Sequence, residues 1–566
     1  MSEMRRQVSG AQALLLGLKA LGIDYILGNV GTDYPPILGA YAQFQQEGRL
    51  GEDVPVPITV PHETVAMNMA YGYYLQSGRP AAVFVHTNVG TANALMSLIN
   101  AERAQVPLLL FAGLAPATEQ HSRTSKPGFI HWAQEMADQA GMVRESVKWH
   151  YHISGDNIAE IDLILARAYA LALSAPAGPV YLTFAPEAVE QIISIPAPIQ
   201  PPVLPSPPQP DPASIQTIAS WLASAQRPLI ISSGTDRDHN ILPALVNLAE
   251  AQSAGVTGLM PRNLHFPLGH KLWLGDNPHA AVPEADLIIS LESDVPYMPI
   301  HARPGQDCRV VHVGPDPLLS RYPRRGFRAD AVVTSAIVPF LGALQTATAA
   351  PDAALTERRR RWVGAIQQGK AAQRAAEIAR AKELGEMTYG WISHCVNELA
   401  MAHEEIVVLR EFDLRGDYLT LAEPGRFFAL PNAGGLGWGM GAALGIRLAE
   451  PGKLPVLGTG DGCYYFSAPL AAHQVARSQN LPFITIIFNN GQWATVTNYV
   501  NRWYPDLEEP APPLTSLGPP PAFEKIVAAF DGYGERVEKP AELPPALARA
   551  YAAAQRGQQA VLNVII

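Results

Sequence analysis

The sequence predicts an α/β protein of three doubly wound parallel-sheet domains, and three observations carry that prediction. Short apolar, β-branched runs alternate with helical stretches along the whole chain. At 566 residues the chain is too long for a single core, so several domains are expected. Its residues are 48% hydrophobic and 16% charged, the balance of a packed globular enzyme rather than of a disordered chain.

In the first third, residues 25–28, 81–85 and 107–111 read as strands. In the middle third the strands are 229–231, 287–289 and 310–313, and in the last 454–457, 482–488 and 560–565. The proline-rich stretch 196–212 can form neither a helix nor a central strand, so it reads as an extended linker. A second division falls near 346–356, before a basic run, 358–361, that reads as a solvated helix face. The expected parts are residues 1–190, a linker at 191–212, a central domain at 213–345 and a final domain at 346–566.

A formal charge of -10 disfavours nucleic acid and anionic membranes as partners. No apolar stretch is long enough to span a bilayer. Cys308, Cys395 and Cys463 give neither a disulfide framework nor zinc spacing, and residues 1–6 lead into no apolar run. Together these predict a cytoplasmic protein without a signal peptide.

The most informative segment is Gly460-Asp461-Gly462, followed at a distance by Asn489-Asn490. The strand before it and the strand at 482–488 flank a helical stretch, 468–479. In such a unit the two strands are parallel and their carboxyl ends face one crevice, where Asp461 and Asn490 would meet at a hard cation. Oxygen ligands completed by phosphate oxygens suit magnesium. The glycines at 458, 460 and 462 would let backbone approach a diphosphate.

The clamp and the three-domain layout resemble the thiamine diphosphate enzymes of the 2-oxo-acid decarboxylase and acetolactate synthase superfamily, along nearly the whole chain. The resemblance implies pyrimidine-binding, central and diphosphate-binding domains. It implies that Asp461, Asn490 and the backbone oxygen of Gln492 hold magnesium against the diphosphate, beside Gly460, Gly462 and the amide of Cys463. Most relatives carry a small hydroxyl residue at the Cys463 position.

Glu63 follows Pro61 at the start of a helical run, where a carboxylate complements the macrodipole. The resemblance gives it a further role, protonating the cofactor's aminopyrimidine ring. The run 433–439 is rich in glycine; by the same resemblance it cups that ring, with the Gly434 carbonyl accepting from the amino group and Leu436 holding the cofactor bent.

Within the superfamily the chain looks most like benzoylformate decarboxylase. His86 stands directly after a strand and leads into Gly90-Thr91-Ala92-Asn93-Ala94. His270 lies in a segment, 266–275, similar to the one bearing that enzyme's other active-site histidine. Thr32 falls where it has an active-site serine, placed to hydrogen-bond a substrate carboxylate. Imidazoles suit proton transfer near neutral pH.

The implied reaction breaks or forms the carbon–carbon bond next to the carbonyl of a 2-oxo acid, with proton or second carbonyl compound (an aldehyde or keto acid) as the capturing partner. The alternatives are an acyloin-forming transferase like acetolactate synthase, or a 2-hydroxyacyl-CoA lyase or oxidase of the same superfamily. FAD is neither demanded nor excluded: Arg262, Arg321, Arg324 and Arg325 form no specific phosphate loop. The family's glutamate serves the clamp of another subunit, so a homo-oligomer, dimer or tetramer, is implied. The proline-rich segment 505–521 departs from the family and reads as this protein's own pocket wall or surface connection.

Overall fold

A computed structural model describes residues 5–120, 122–196, 199–234, 240–506 and 512–566. Residues 1–4, the pair 197–198 in the first proline-rich stretch and 507–511 in the second lie outside the described residues. The chain forms two compact units. One comprises residues up to Pro205 together with Pro431–Gly452 and Cys463–Phe483; the other comprises Ser206–Leu430, Lys453–Gly462 and Ile484–Ile566.

The first unit is built on a six-stranded sheet in the order Val56–Thr59, Tyr25–Asn29, Ala82–Val85, Leu109–Gly113, Val180–Phe184, Trp149–Ile153. Every neighbouring pair is parallel. Three of the four inner strands, Ala82–Val85, Leu109–Gly113 and Val180–Phe184, are buried at every residue, as strands covered by helices on both faces must be. A separate pair joins Arg5–Ser9 to Ile192–Pro196, antiparallel. The expected linker 191–212 therefore begins with a strand. No helix or strand is formed from 199 to 211, and a helix, Pro212–Ser224, starts where Asp211 accepts from Ser214 N.

The second unit carries two further parallel sheets. One is five-stranded, in the order Gly255–Thr257, Pro228–Ser232, Leu287–Leu291, Arg309–Gly314, Ala331–Thr334. The other is six-stranded: Phe427–Ala429, Ile406–Glu411, Leu454–Gly460, Ile484–Asn489, Ala560–Ile565, Tyr533–Val537. The fold is thus α/β with three parallel sheets, as the alternating runs predicted.

One expectation is corrected. The basic run 358–361 lies in the helix Ala353–Leu384, but Arg359 is not solvated: it is fully buried. Its guanidinium donates to the carbonyls of Leu222, Ala225 and Gln252, at the ends of two helices whose last carbonyls lack intrahelical partners. Two pieces of the final third, Pro431–Gly452 and Cys463–Phe483, pack with the first unit.

The reason is a close helix crossing. The helix Trp438–Ala449 packs along Glu63–Ser77, which is buried on nearly all sides. A Cβ on Gly72 would stand 2.1 Å from the Ala442 carbonyl oxygen, and one on Gly445 would stand 2.0 Å from that of Met69. The backbones touch where a side chain would separate them. Gly445→Ala is expected to lower stability by about 1–3 kcal/mol, the usual cost of overpacking, read as a lower denaturant midpoint; an unchanged midpoint would show that the crossing yields freely.

Candidate functional site

Glu63 opens its helix, with His62 as N-cap accepting from Thr64 N at 3.2 Å. The Glu63 carboxylate is 5% exposed and sits between two amide side chains. Asn29 Nδ2 donates to Oε1 and Asn93 Nδ2 to Oε2, each at 3.1 Å. Each oxygen thus has a donor, and the helix N-terminus adds positive potential, which together let a carboxylate stay buried.

His86 and Thr32 stand at the carboxyl ends of the two neighbouring strands Ala82–Val85 and Tyr25–Asn29. His86 Nδ1 lies 2.6 Å from Oδ1 of Asp33, a fully buried carboxylate whose Oδ2 accepts from Thr87 N at 3.3 Å. The Asp33 hydrogen bond holds the His86 pKa above its ordinary value, with partial burial opposing and Gln134 and Glu63 assisting. Glu63 is close enough to act on His86 electrostatically, so the two form one constellation. Thr32 Oγ1 meets His131 Nε2 at 3.0 Å, and His131 Nδ1 meets the Gly128 carbonyl at 2.9 Å. A carbonyl only accepts, so Nδ1 carries the proton and the neutral ring's Nε2 accepts from the Thr32 hydroxyl.

His270 stands elsewhere. Its Nδ1 accepts from Leu272 N at 3.1 Å, its Nε2 faces Glu250 at 3.3 Å, and its ring packs edge-on against Phe266. These partners belong neither to the Glu63 constellation nor to the Asp461 clamp.

In the glycine-rich run, Gly434 and Gly437 have φ of +69° and +87°, backbone that favours glycine. Asn100 ties the run down from both sides: its Nδ2 donates to the Gly435 carbonyl at 2.8 Å and its Oδ1 accepts from Gly435 N at 3.0 Å. Asn68 Nδ2 donates to the Gly437 carbonyl at 3.2 Å. A Cβ on Gly437 would meet the Phe466 carbonyl oxygen at 2.2 Å, so that glycine answers to the protein's own packing. Leu436 is half-buried in the bend before the helix.

In the second unit, the strands Leu454–Gly460 and Ile484–Asn489 are parallel neighbours, and Asp461 and Asn490 follow their ends. Asp461 is 3% exposed. Its Oδ1 accepts from Gly462 N and its Oδ2 from Gly491 N, both at 2.7 Å, which binds the two strand ends together. Asn490 Oδ1 accepts from Gln492 N at 3.0 Å and its Nδ2 donates to the Tyr389 hydroxyl at 2.9 Å. Gly462 is required by the Trp493 indole, 2.2 Å from where its Cβ would be, and Gly458 packs against Leu414 and Phe488. Close packing, beyond any diphosphate, therefore accounts for both glycines. Cys463 is buried in the short helix Asp461–Phe466, its carbonyl accepting from Ser467 Oγ at 3.0 Å.

The electrostatics around the clamp call for a cation. Burial pushes the Asp461 carboxyl up, opposed by the amides of Gly491, Gly462 and Asn490. Burial, then Asp461 and Glu411, push Asp413 up to about 7, with only Arg415 acting the other way. A divalent ion would offset this crowding of negative charge. Asp461, Asn490 and the backbone of Gln492 offer carboxylate, amide and carbonyl oxygens, the kind of donor that magnesium takes. The residues present fit that ion. A cavity of about 1000 Å3 lies beside the clamp, with Tyr389, Asp413, Arg415 and Ala494 in its wall. Residues 515–517 of the second proline-rich segment pack on the clamp loop: Trp493 N donates to the Thr515 carbonyl and Leu517 N to that of Gly491, both at 2.7 Å.

Asp33, Asn29, Asn93 and His131 were not singled out by the sequence reading. The first three flank Thr32 and His86 in segments already marked, whereas His131 carries no local motif.

Comparison with known proteins gives the family. Residues 8–142 match the N-terminal TPP binding domain of thiamine pyrophosphate enzymes, and residues 415–564 match their C-terminal TPP binding domain. The chain belongs to the thiamine pyrophosphate enzymes. It is 25% identical over 569 residues to the acetolactate synthase large subunit IlvG of Mycobacterium tuberculosis, covering 97% of this chain and 94% of that one. It is 26% identical over 524 residues to benzoylformate decarboxylase of Pseudomonas aeruginosa, covering 87% of each. The fold is also that of benzoylformate decarboxylase from Polynucleobacter necessarius, with a TM-score of 0.77 at 19% identity over 99% of both chains. The protein is thus a thiamine diphosphate-dependent enzyme of decarboxylase or acetolactate synthase type. No helix among the described residues is long and apolar enough to cross a membrane, and the three cysteines are free and buried. Of the central arginines, Arg262 lies 3.9 Å from buried Asp294, and Arg325 donates to the Ser293 carbonyl.

Asn100→Ala removes both bonds to Gly435 and leaves its backbone groups wanting partners, at about 1–3 kcal/mol. The expected result is thiamine diphosphate binding weakened about tenfold or more, measured by calorimetry. Unchanged affinity would separate the glycine run from the cofactor.

Proposed function

We propose that this enzyme cleaves or forms the carbon–carbon bond next to the carbonyl of a 2-oxo acid, as a decarboxylase or carboligase of the benzoylformate decarboxylase type. The observation that carries the reading is the constellation of buried Glu63 between Asn29 and Asn93, with His86 and Thr32 on the adjoining strand ends. Thiamine diphosphate, when bound, supplies the electron sink for the bond that breaks. Asp461, Asn490 and the Gln492 carbonyl would hold magnesium and the diphosphate, with Gly460, Gly462 and Cys463 alongside. Gly434 and Leu436 would receive the aminopyrimidine. Glu63 exchanges a proton with that ring from a fixed position, since both its oxygens are anchored. Thr32 would turn its hydroxyl from His131 Nε2 to the substrate carboxylate, and His86 moves a proton at Nε2. His270 is the second candidate imidazole for proton transfer, held by Leu272 N and Glu250. The working form is a homo-oligomer in the cytoplasm, dimer or tetramer, as the family resemblance implies.

A second reading is an acetolactate synthase-like transferase, favoured by similarity to the Mycobacterium tuberculosis synthase along 97% of this chain. Proton NMR of the products separates the two. Aldehyde from benzoylformate with pyruvate untouched supports the first; acetolactate or acetoin from pyruvate supports the second. Glu63→Gln is expected to cut turnover by about 10²- to 10⁴-fold under either while the cofactor still binds. Undiminished turnover would remove Glu63 from the chemistry.

A further inference from the structure

We propose that Asp33 is the positioning residue of His86, fixing the imidazole so that Nδ1 keeps its proton and Nε2 is the atom that gives and takes one. The inference rests on the reading above in that His86 acts as the acid. No family resemblance singled out Asp33; the geometry does.

The carboxylate is fully buried, and among the described residues its ion-pair partner is His86, at 2.6 Å, rather than a lysine or arginine. A buried carboxylate without a cation is costly, so the imidazolium is its counter-ion. The pair is held from three sides. Thr87 N donates to the other Asp33 oxygen. A Cβ on Gly113 would fall 1.8 Å from Asp33 Oδ2, and one on Gly31 would fall 2.2 Å from His86 Nδ1. Both glycines leave room that the carboxylate and the ring fill, so neither side chain can turn away without opening a void. Hydrogen bonding at one ring nitrogen decides which tautomer the neutral ring adopts. Here Asp33 accepts from Nδ1–H, leaving Nε2 to work.

Two further groups act on His86, the charged Glu63 and the neutral amide of Gln134. Glu63 comes from the neighbouring helix and Gln134 from the segment after Ile130–Ala133; both act in the direction of Asp33. In the proton transfer, imidazolium His86 releases the Nε2 proton to the substrate-derived acceptor and becomes the neutral Nδ1–H form, still bonded to Asp33. A proton from solvent restores it. Activity that needs protonated His86 is present below its pKa and is lost as pH rises through it. Removing the Asp33 charge moves that loss to lower pH.

The test begins with nitrogen-15 NMR of the wild-type protein titrated with pH, His86 being assigned by its absence in His86→Phe. Neutral His86 protonated at Nδ1 is expected; neutral His86 protonated at Nε2 would overturn the assignment without any variant at Asp33. Asp33→Asn is then expected to lower the His86 titration midpoint and shift the alkaline limb of kcat to lower pH. It should also reduce kcat about 10- to 100-fold with KM little altered. In the His86→Phe background the same substitution should cost nothing more, because it acts through the missing ring. An undiminished cost there would make Asp33 a structural residue and overturn the proposal. Full turnover by His86→Phe alone would instead sink the acid role of His86 and leave the tautomer result standing.

Discussion

The first unit depends on two helices meeting backbone to backbone. Gly72 and Gly445 remove the side chains that would hold Glu63–Ser77 and Trp438–Ala449 apart, so carbonyl oxygens take their place. Each helix presents candidate site residues at its N-terminus: Glu63 is the first residue of one, and the run 433–437 leads into the other. Asn68, one turn into the first helix, donates to the carbonyl of Gly437 at the start of the second. A crossing this close has no slack, so the orientation of one helix start is set by the other. Protein interiors transmit strain because they are packed to crystal density.

Buried negative charge is the second theme, and each carboxylate is answered differently. Glu63 has an amide donor on each oxygen. Asp33 has an imidazole and a backbone amide. Asp461 has two backbone amides but shares its surroundings with Glu411 and Asp413, and Arg415 alone opposes them. The first two arrangements are complete within the chain. A magnesium ion would offset the negative charge crowded in the third.

Much of this was legible in the sequence, for identifiable reasons. Strands buried on both faces read as unbroken apolar runs, so 229–231, 287–289 and 560–565 were found within a residue or two of Pro228–Ser232, Leu287–Leu291 and Ala560–Ile565. Asp461 and Asn490 were legible because strand ends are marked by glycine and asparagine. What escaped was whatever depends on distant packing. Arg359 reads as one of four exposed arginines until two helix ends arrive above it. Gly72 and Gly445 read as ordinary helix glycines until the helices cross. His131 is unremarkable until the strand order brings Thr32 to it. The glycines at 458 and 462 were noticed, but for a ligand, whereas Leu414, Phe488 and Trp493 already occupy their open sides.

The central claim is that Asp461 and its neighbours form an oxygen-donor cation site through which thiamine diphosphate is held. Calorimetric titration of the purified protein with thiamine diphosphate, in magnesium and then in excess EDTA, tests it directly. The account expects tight binding with magnesium, binding weakened about 100-fold or more in EDTA, and the same weak binding for Asp461→Ala in either buffer. Equal affinity with and without the ion, or full affinity in the variant, would contradict it.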